Sequence, residues 1–444
     1  MDPTQILPQF GNVAFTLAAF VVALSVIVAI HEYGHYIVGR WSGIHAEVFS
    51  LGFGPVLLSR RDRRGTVWQL AALPFGGYVK FLGDANAASV GQAAGTDPAR
   101  LRHTMLGAPL WARAATVAAG PVFNFVLSIL IFTGVILTQG RAADPLTVER
   151  MLTLPDSYVN ELRAGDEILA IGGAELPSEG GMSRLAEGYP AEPVLDYRVR
   201  RDGREMLVRG PYPQPPLVGG VSPRSAADAA GLRAGDVIVS LDGREVFAFA
   251  ELIEIVTDSD GRSLDLTIWR DGATRDLTLT PRRVDLPREE GGFETRWLLG
   301  ISSGLFFEAA TETPGLGAAF GDAVGQVWRI IGSSLSGLGH MITGAISSCN
   351  LSGPVGIAQT SGAMAEQGAT SFIWFVAVLS TAVGLLNLFP IPVLDGGHLV
   401  FFGYEAITGR QPSDKALRVL MALGLSLILT MTVFAVLNDL FLCP

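Results

Sequence analysis

Four long apolar runs constrain the fold of this 444-residue sequence more than any other feature. Residues 13–30 carry no charge over 18 positions, which is the length that a helix needs to cross a bilayer. Similar runs cover residues 115–138, 371–390 and 418–442. Charged residues make up only 17% of the chain, against about 25% in soluble proteins. The sequence therefore predicts a polytopic α-helical membrane protein with four transmembrane helices.

The distribution of Lys and Arg predicts how the helices are oriented. Basic residues cluster between the first two runs and between the last two, whereas residues 1–12 have none. Loops rich in Lys and Arg remain cytoplasmic. We therefore expect both termini and the long segment 140–370 on the outer side. The net charge of −10 and the lack of a further basic patch argue against a nucleic-acid partner.

The sequence contains two cysteines, Cys349 and Cys443, and both fall on the predicted outer side. Their surroundings, "SSCNL" and "FLCP", do not show the spacing of a disulfide framework. Free thiols are therefore the expectation.

An internal repeat organises the segment between the second and third runs. The stretch "LRAGDEILAIGG" at 162–173 aligns with "LRAGDVIVSLDG" at 232–243, at an offset of 70 residues. Each copy leads from a turn into a strand and is followed by more strand-like sequence. Two tandem α/β domains of about 70 residues each are predicted from this periodicity.

Both copies resemble PDZ domains of the bacterial, protease-associated type, and the second copy carries the better match, "SAADAAGLRAGDVIVSLDG". PDZ domains capture an extended peptide or a carboxy terminus at a sheet edge. In the second copy, residues 215–221 ("PPLVGGV") are the expected position of the binding loop. Two interpretations are open: the domains bind such a ligand, or they act as a spacer that blocks access.

The chain is accordingly divided into five segments. Residues 1–140 and 371–444 form the two halves of a membrane core, and residues 141–211 and 212–285 form the two PDZ-like domains. Residues 286–370 form a linker, in which the helical spacing of apolar residues predicts amphipathic helices at the outer membrane surface.

The first run ends in the pentapeptide "HEYGH", which is the strongest chemical signal in the sequence. His31 and His35 are four positions apart, so on a helix they lie on one face and can bind the same metal ion. In H-E-x-x-H zinc hydrolases, the carboxylate at the position of Glu32 activates a water molecule and transfers its proton. Ionisable groups beside an apolar run are costly in lipid and are usually functional.

A catalytic zinc site needs a third protein ligand, and the end of the third run offers candidates. Asp395 is favoured because it lies at the cytoplasmic end of its run, as the two histidines do at the end of theirs. His398 and Glu405 remain alternatives for the third ligand. The other histidines are expected at surface or interfacial positions; they are His45, His103 and His340.

The same stretch, "NLFPIPVLDGGH" at 387–398, should break the helix. Pro390 and Pro392 cannot continue helical hydrogen bonding, and the glycines before His398 permit a tight backbone. Irregular backbone at membrane depth is tolerated where it lines a wet cavity. Asn387 could hydrogen-bond a substrate strand or an oxyanion, or it could simply cap the helix.

Several motifs, taken together and in this order, resemble the site-2 protease family of intramembrane zinc metalloproteases. They are "HEYGH" (31–35), "GFGP" (52–55), "FGGYVKFLGD" (75–84), "GPVFN" (120–124), "SGPVGI" (352–357) and "NLFPIPVLDGG" (387–397). The tandem PDZ insert makes the chain most similar to the bacterial members that regulate sigma-E. Tyr33 stands where Phe is more usual in this family.

The resemblance implies one catalytic zinc ion on His31, His35 and Asp395, with Glu32 as the general base. It also implies substrate contacts from three residues near the third ligand: Asn387, Pro390 and Pro392. Residues 75–84 would form a membrane-reentrant β element whose edge pairs with an unwound substrate. The substrate contacts of that element would come from Gly76, Gly77 and Tyr78; the glycine pair is also compatible with a simple turn.

The expected function is intramembrane proteolysis of single-span membrane proteins in the bacterial inner membrane. Substrates would include an anti-sigma factor after a first-site cut, and remnant signal peptides. The PDZ-like domains would be periplasmic and would restrict substrate size, with the active site near the cytoplasmic face. The alternative functions are a non-catalytic PDZ scaffold with a structural metal and a transporter; no inverted repeat supports the transporter.

Overall fold

The computed structural model describes residues 6–83, 98–177, 185, 189–287, 293–347, 349 and 352–442. The chain divides into two compact units. The helical unit comprises Met1–Val135, Leu316–Gly339 and Leu351–Pro444, and the strand unit comprises Ile136–Gly315 and His340–Asn350.

The α-helices are α1 (Ile6–Trp41), α2 (Leu110–Gln139), α3 (Ala226–Ala229), α4 (Phe249–Asp258), α5 (Leu316–Ile342), α6 (Pro354–Glu366), α7 (Ala369–Asn387), α8 (Asp395–Thr408) and α9 (Asp414–Leu437). The strands up to the end of the first repeat are β1 (Ala46–Arg61), β2 (Val67–Phe81), β3 (Arg141–Ala142), β4 (Val148–Met151), β5 (Glu167–Ile171), β6 (Ala174–Glu175), β7 (Leu195–Arg201) and β8 (Arg204–Gly210). The remaining strands are β9 (Val218–Val221), β10 (Val237–Leu241), β11 (Arg244–Glu245), β12 (Leu264–Arg270), β13 (Ala273–Leu279), β14 (Arg282–Pro287), β15 (Phe293–Leu298), β16 (Ile301–Ser303), β17 (Phe307–Ala309) and β18 (Thr311–Glu312).

Within the part of the chain that the structure describes, four helices are long and apolar enough to cross a membrane, which confirms the four predicted transmembrane helices. Their apolar spans are Val13–Trp41, Leu110–Gln139, Ala369–Asn387 and Asp414–Phe441. A helix satisfies its backbone polar groups internally, so it is stable in hydrocarbon where an open strand is not.

Helices α1 and α2 approach each other closely because small residues face each other where they cross. A Cβ atom at Gly34 would lie only 2.5 Å from the carbonyl oxygen of Ala119. Small residues at such crossings let transmembrane backbones come into direct contact. Further along α1, Ala23 and Ile27 are fully buried and pack against Val376 of α7.

Strands β1 and β2 form an antiparallel hairpin that follows directly from α1. Ser50 lies opposite Tyr78 near the α1 end of the hairpin. Gly76 has φ +139°, and a Cβ atom there would lie 2.4 Å from the Phe53 ring, so only glycine fits. The Gly76–Gly77 pair lies within strand β2, as the strand interpretation required, and not in a turn.

The chain between α7 and α8 is irregular, as the two prolines predicted. Helix α7 ends at Asn387, and α8 begins at Asp395. Val393 has φ +115°, a strained conformation for a β-branched residue. A Cβ atom at Gly396 would lie 2.3 Å from the carbonyl oxygens of Leu388 and Phe389. The start of α8 is therefore pressed against the loop that precedes it.

The two repeats form two four-stranded sheets of the same order, β6-β5-β7-β8 and β11-β10-β12-β13. Equivalent hydrogen bonds recur at the 70-residue offset. The Val148 N–H donates to the Asp166 carbonyl at 2.9 Å, and the Val218 N–H donates to the Asp236 carbonyl at 2.8 Å. The sequence repeat is therefore a structural repeat.

The first part of the predicted linker 286–370 contains strands, and two of them pair with strands of the repeats. Strand β16 pairs with β9 of the second repeat, and β17 pairs with β4 of the first. The second repeat is thus inserted into the first, and neither is complete within 141–211 or 212–285. Exposed strands such as β4 and β9 otherwise leave backbone groups unpaired, and the late strands pair them.

The stretch 215–221, the expected position of the peptide-binding loop, contains strand β9. Strand β9 in this stretch is bonded on both sides: to β16 on one side and, through Val218, to Gly235 and Asp236 on the other. At Val218, therefore, neither edge of β9 is open to an added peptide. Among the described residues, β16 pairs with no strand other than β9, so it offers the edge.

The predicted amphipathic segment forms a single helix, α5, with exposed apolar side chains that include Phe320, Trp328 and Ile342. Helix α6, also within the predicted linker, instead packs in the helical unit. Its amino terminus is capped by Asp439, which accepts hydrogen bonds from the Gly353 and Gly356 N–H groups at 3.0 and 2.9 Å.

The expectation of free thiols is wrong for Cys349, which is in a disulfide bond. Cys443 lies outside the described residues.

Candidate metal centre

Three side chains from distant parts of the helical unit converge on one point. The Nε2 atoms of His31 and His35, on α1, are 3.2 Å apart. Oδ2 of Asp395, the first residue of α8, lies 3.2 Å from the His31 nitrogen and 3.5 Å from the His35 nitrogen. Among the described residues, this is the one group of three or more metal-ligating side chains close enough to share an ion.

The donor set fits a zinc ion. Tetrahedral zinc with bonds of about 2.0–2.1 Å separates its ligand atoms by about 3.3 Å, and the three distances match this value. Oδ2 of Asp395 is buried and accepts no hydrogen bond from the described residues. A buried carboxylate oxygen without a partner is costly, and a cation between it and the imidazoles would remove that cost.

The outer nitrogens of both imidazoles contact α2. His35 Nδ1 lies 2.9 Å from the Thr116 carbonyl oxygen, so it carries the proton and donates it. His31 Nδ1 lies 3.2 Å from Nδ2 of Asn124. Partners of this kind fix which nitrogen is free to bind the metal. For His35, the free nitrogen is the one directed at the site.

Glycine is required where α2 passes behind the two histidines. A Cβ atom at Gly120 would lie 2.4 Å from Nε2 of His35 and 2.9 Å from Cε1 of His31. Any larger side chain would displace the imidazoles. The close approach of α2 therefore depends on the glycine of the "GPVFN" motif.

Strand β2 passes over the carboxylate next to the histidine pair. A Cβ atom at Gly77 would lie 3.1 Å from Cγ of Glu32 and 2.7 Å from the Ser50 carbonyl oxygen. The backbone of β2 thus lies against the side chain proposed as the base. Tyr78, the next residue, receives a 3.1 Å hydrogen bond from Gln69 and stacks on Phe53.

A cavity of about 850 Å³ opens onto these groups. Its lining includes the three candidate ligands together with Glu32, Gly77, Tyr78 and Asn387. Gly76, Pro390 and Pro392 are not among the lining residues. The structure therefore brings part of the predicted substrate-binding set to the site, while both prolines lie in the α7–α8 loop.

The two alternative third ligands, Glu405 and His398, do not belong to the group formed by His31, His35 and Asp395. Glu405 accepts hydrogen bonds from Arg113 at 2.6 and 3.0 Å, which occupies its carboxylate. Arg113 also lies 5.3 Å from the centre of the Phe402 ring. His398 lines the cavity but is not part of the three-ligand group. Geometry favours Asp395.

Sequence reasoning missed three residues of α2 that contact the histidines: Thr116, Gly120 and Asn124. Two of them, Gly120 and Asn124, belong to the "GPVFN" motif, which was identified in the sequence but given no role. Thr116 contributes its backbone oxygen, which no residue-type pattern could indicate.

Comparisons with known proteins agree with this chemistry. A family model described as Peptidase family M50 matches residues 19–431. A putative zinc metalloprotease of Rhizobium meliloti is 35% identical over 434 residues, covering 96% of this chain and 97% of the relative. The regulator of sigma-E protease RseP of Salmonella typhimurium is 33% identical over 456 residues, covering 96% and 99%.

A solved PDZ domain of an SdrC-like protein from Listeria monocytogenes is 20% identical and covers 22% of this chain and 93% of its own. Its TM-score of 0.18 is too low to support an argument about the fold.

Proposed function

The chain belongs to peptidase family M50, the site-2 proteases, and is a metalloprotease; from this premise we propose that it cleaves single-span membrane proteins within or near their transmembrane segments. The observation that carries the proposal is the convergence of two α1 imidazoles and the α8 carboxylate beside Glu32, on a helix that is long and apolar enough to cross a membrane. By likeness to the sigma-E regulators, the substrates would include an anti-sigma factor after a first cut, and remnant signal peptides.

The residues have separate roles in the proposed reaction. His31, His35 and Asp395 would hold one zinc ion, which supplies a Lewis acid that polarises the substrate carbonyl and lowers the pKa of water. Glu32 takes the proton from the attacking water and delivers it to the leaving amide nitrogen. Asn387, which lines the same cavity, would hydrogen-bond the substrate backbone or the developing oxyanion.

The substrate must be unwound before it is cut, because a helix hides its amides in internal hydrogen bonds. We propose that strand β2 acts as the membrane-reentrant element and pairs with the stretched substrate at Gly76, Gly77 and Tyr78. The proximity of the β2 backbone to Glu32 supports this role. Pro390 and Pro392 would hold the α7–α8 loop open on the opposite side.

The orientation follows from the basic loops. Arg60 and Arg61 in the β1–β2 hairpin and Arg410 after α8 belong to the loops that we expect in the cytoplasm. The zinc site would then lie near the cytoplasmic face of the bacterial inner membrane. The two PDZ-like repeats would be periplasmic and would exclude substrates with bulky outer domains.

The two repeats differ at the loop that would bind a carboxy terminus. The Ser222 N–H donates to the Gly300 carbonyl at 2.8 Å, and its equivalent, the Leu152 N–H, donates to the Phe306 carbonyl at 3.0 Å. Gly300 has φ +82°, a left-handed conformation that occurs in the backbone turns that bind anions. Phe306 is fully buried at the same position. We therefore assign any carboxy-terminal ligand to the second repeat.

The test is cleavage of a truncated single-span substrate by purified protein in detergent or liposomes. Glu32→Gln should lower the cleavage rate by about 100-fold or more, because it removes the proton acceptor, while zinc content stays near that of wild type. Tyr33→Phe is the matched control, since Tyr33 is not a candidate ligand or base, and it should cleave normally.

Full cleavage by Glu32→Gln would overturn the proposal. It would favour the alternative, a non-catalytic PDZ scaffold with a structural metal, which predicts that zinc removal unfolds the protein while Glu32 is dispensable.

A further inference from the structure

Asn124 is a buried polar residue of α2 whose hydrogen bonds are incomplete. The residue is fully buried, and its Nδ2 lies 3.2 Å from Nδ1 of His31. Its Oδ1 is buried and has no hydrogen-bond partner among the described residues. Since buried amide oxygens are nearly always paired, this orphan atom requires an explanation.

The chemistry of a metal-binding imidazole supplies the explanation. When Nε2 of a neutral imidazole binds a metal, the ring proton is on Nδ1 and must be donated to an acceptor. His35 meets this requirement, because its Nδ1 faces the carbonyl oxygen of Thr116. His31 faces an amide nitrogen, which is itself a donor. A half-turn of the Asn124 amide would place Oδ1, the orphan acceptor, opposite His31 Nδ1.

We propose that Asn124 is a positioning residue for the zinc site. In the metal-bound protein its carboxamide oxygen accepts the Nδ1–H of His31 and so directs Nε2 at the zinc. The inference rests on the zinc site of the proposed function. One histidine is thus oriented by the backbone of α2 and the other by a side chain of α2.

The surroundings of Asn124 hold its backbone in place. Ser128 and Ser380 each donate to the Asn124 carbonyl oxygen, at 3.0 and 2.9 Å. On α7, a Cβ atom at Gly384 would lie 3.2 Å from Cβ of Asn124, so the glycine leaves room for the side chain. These contacts fix the position of the residue. The hydrogen bond with His31 then depends on whether the oxygen or the nitrogen of the Asn124 carboxamide faces the imidazole.

The experiment measures zinc affinity of the full-length protein in detergent by competition with a chromophoric chelator. Asn124→Leu keeps the volume and removes the acceptor, so zinc affinity should fall about 10–100-fold, the usual cost of losing such a partner. Asn124→Asp provides a carboxylate acceptor and should bind zinc at least as tightly as wild type. Ser128→Ala, which removes hydrogen bonds to the backbone carbonyls of Asn124 and Ala377 and leaves the Asn124 carboxamide unchanged, should change affinity less than about threefold.

A merely structural role predicts a different pattern, in which Asn124→Asp is as defective as Asn124→Leu or both resemble wild type; either pattern would overturn the inference. If Asn124→Leu does not fold, Asn124→Ser, which is too short to reach His31, replaces it. The absorption spectrum of the cobalt-substituted protein is a second readout, and it should change in Asn124→Leu but not in Ser128→Ala. Failure of wild type to bind zinc would instead reject the proposed function itself.

Discussion

Buried aspartates of the two units have opposite kinds of surroundings. In the strand unit, Asp166 and Asp236 each receive two hydrogen bonds from one arginine, Arg201 or Arg270, at 2.6 and 2.7 Å. Each also accepts a backbone N–H at 2.8 Å. In the helical unit, Asp395 faces two imidazoles, and among the described residues it forms no ion pair with Lys or Arg. A buried carboxylate with complete hydrogen bonding stabilises the fold, whereas one with incomplete hydrogen bonding indicates a binding site.

The comparison explains why burial alone does not identify function. A buried ion pair with complete hydrogen bonding recurs at the same position of both repeats, where it connects the turn before β5 or β10 to the end of β7 or β12. Such pairs are maintained because breaking them leaves a buried charge. At Asp395 the partner that we propose is a metal ion, which would offset the cost of the buried carboxylate when bound.

The largest expected effect is at Asp395. Asp395→Asn should lower zinc affinity by more than about 100-fold, because it removes an anionic ligand, not merely a hydrogen-bond partner. Metal content by mass spectrometry and chelator competition measure this directly. Asp166→Asn is the matched control, and its zinc content should equal that of wild type. Unchanged zinc in Asp395→Asn would move the third ligand to His398.

The second effect is on the stability of the strand unit. Asp236→Asn should destabilise the second repeat by about 3–5 kcal/mol, because Arg270, which is 12% exposed, loses its anionic partner. Urea unfolding followed by near-ultraviolet circular dichroism measures the change. Glu175→Gln breaks the exposed pair with Arg198 and should cost less than about 1 kcal/mol. Equal losses of unfolding free energy for the two variants would show that the buried ion pair is no more important for stability than the exposed one.

Sequence patterns predicted features whose signal is local. The apolar runs identified the spans, "HEYGH" identified the two imidazoles, and the 70-residue offset identified the repeats. Pairings between distant segments were not predictable in this way. Strand β17 is more than 150 residues from β4, and Arg113 is 292 residues from Glu405. Such contacts depend on the assembled fold, as does the carbonyl that orients His35.

The two repeats also differ at one position that equivalent hydrogen bonds identify. Arg201 donates to the Glu161 carbonyl oxygen at 3.1 Å, and Arg270 donates to the Gly231 carbonyl oxygen at 2.8 Å. Glu161 and Gly231 are therefore equivalent positions. The first repeat has a carboxylate there, and the second has no side chain.

The smallest expected effect is a pH dependence confined to the first repeat. The backbone N–H of Arg209, and then its guanidinium, hold the pKa of Glu161 below its usual value. A depressed pKa contributes stability above the unfolded pKa of about 4.3, and that stability is lost as pH falls through the folded value. Glu161→Gln should therefore lower the urea midpoint slightly at pH 7 and by less at pH 3. A difference of equal size at both pH values would show that the carboxylate charge contributes nothing.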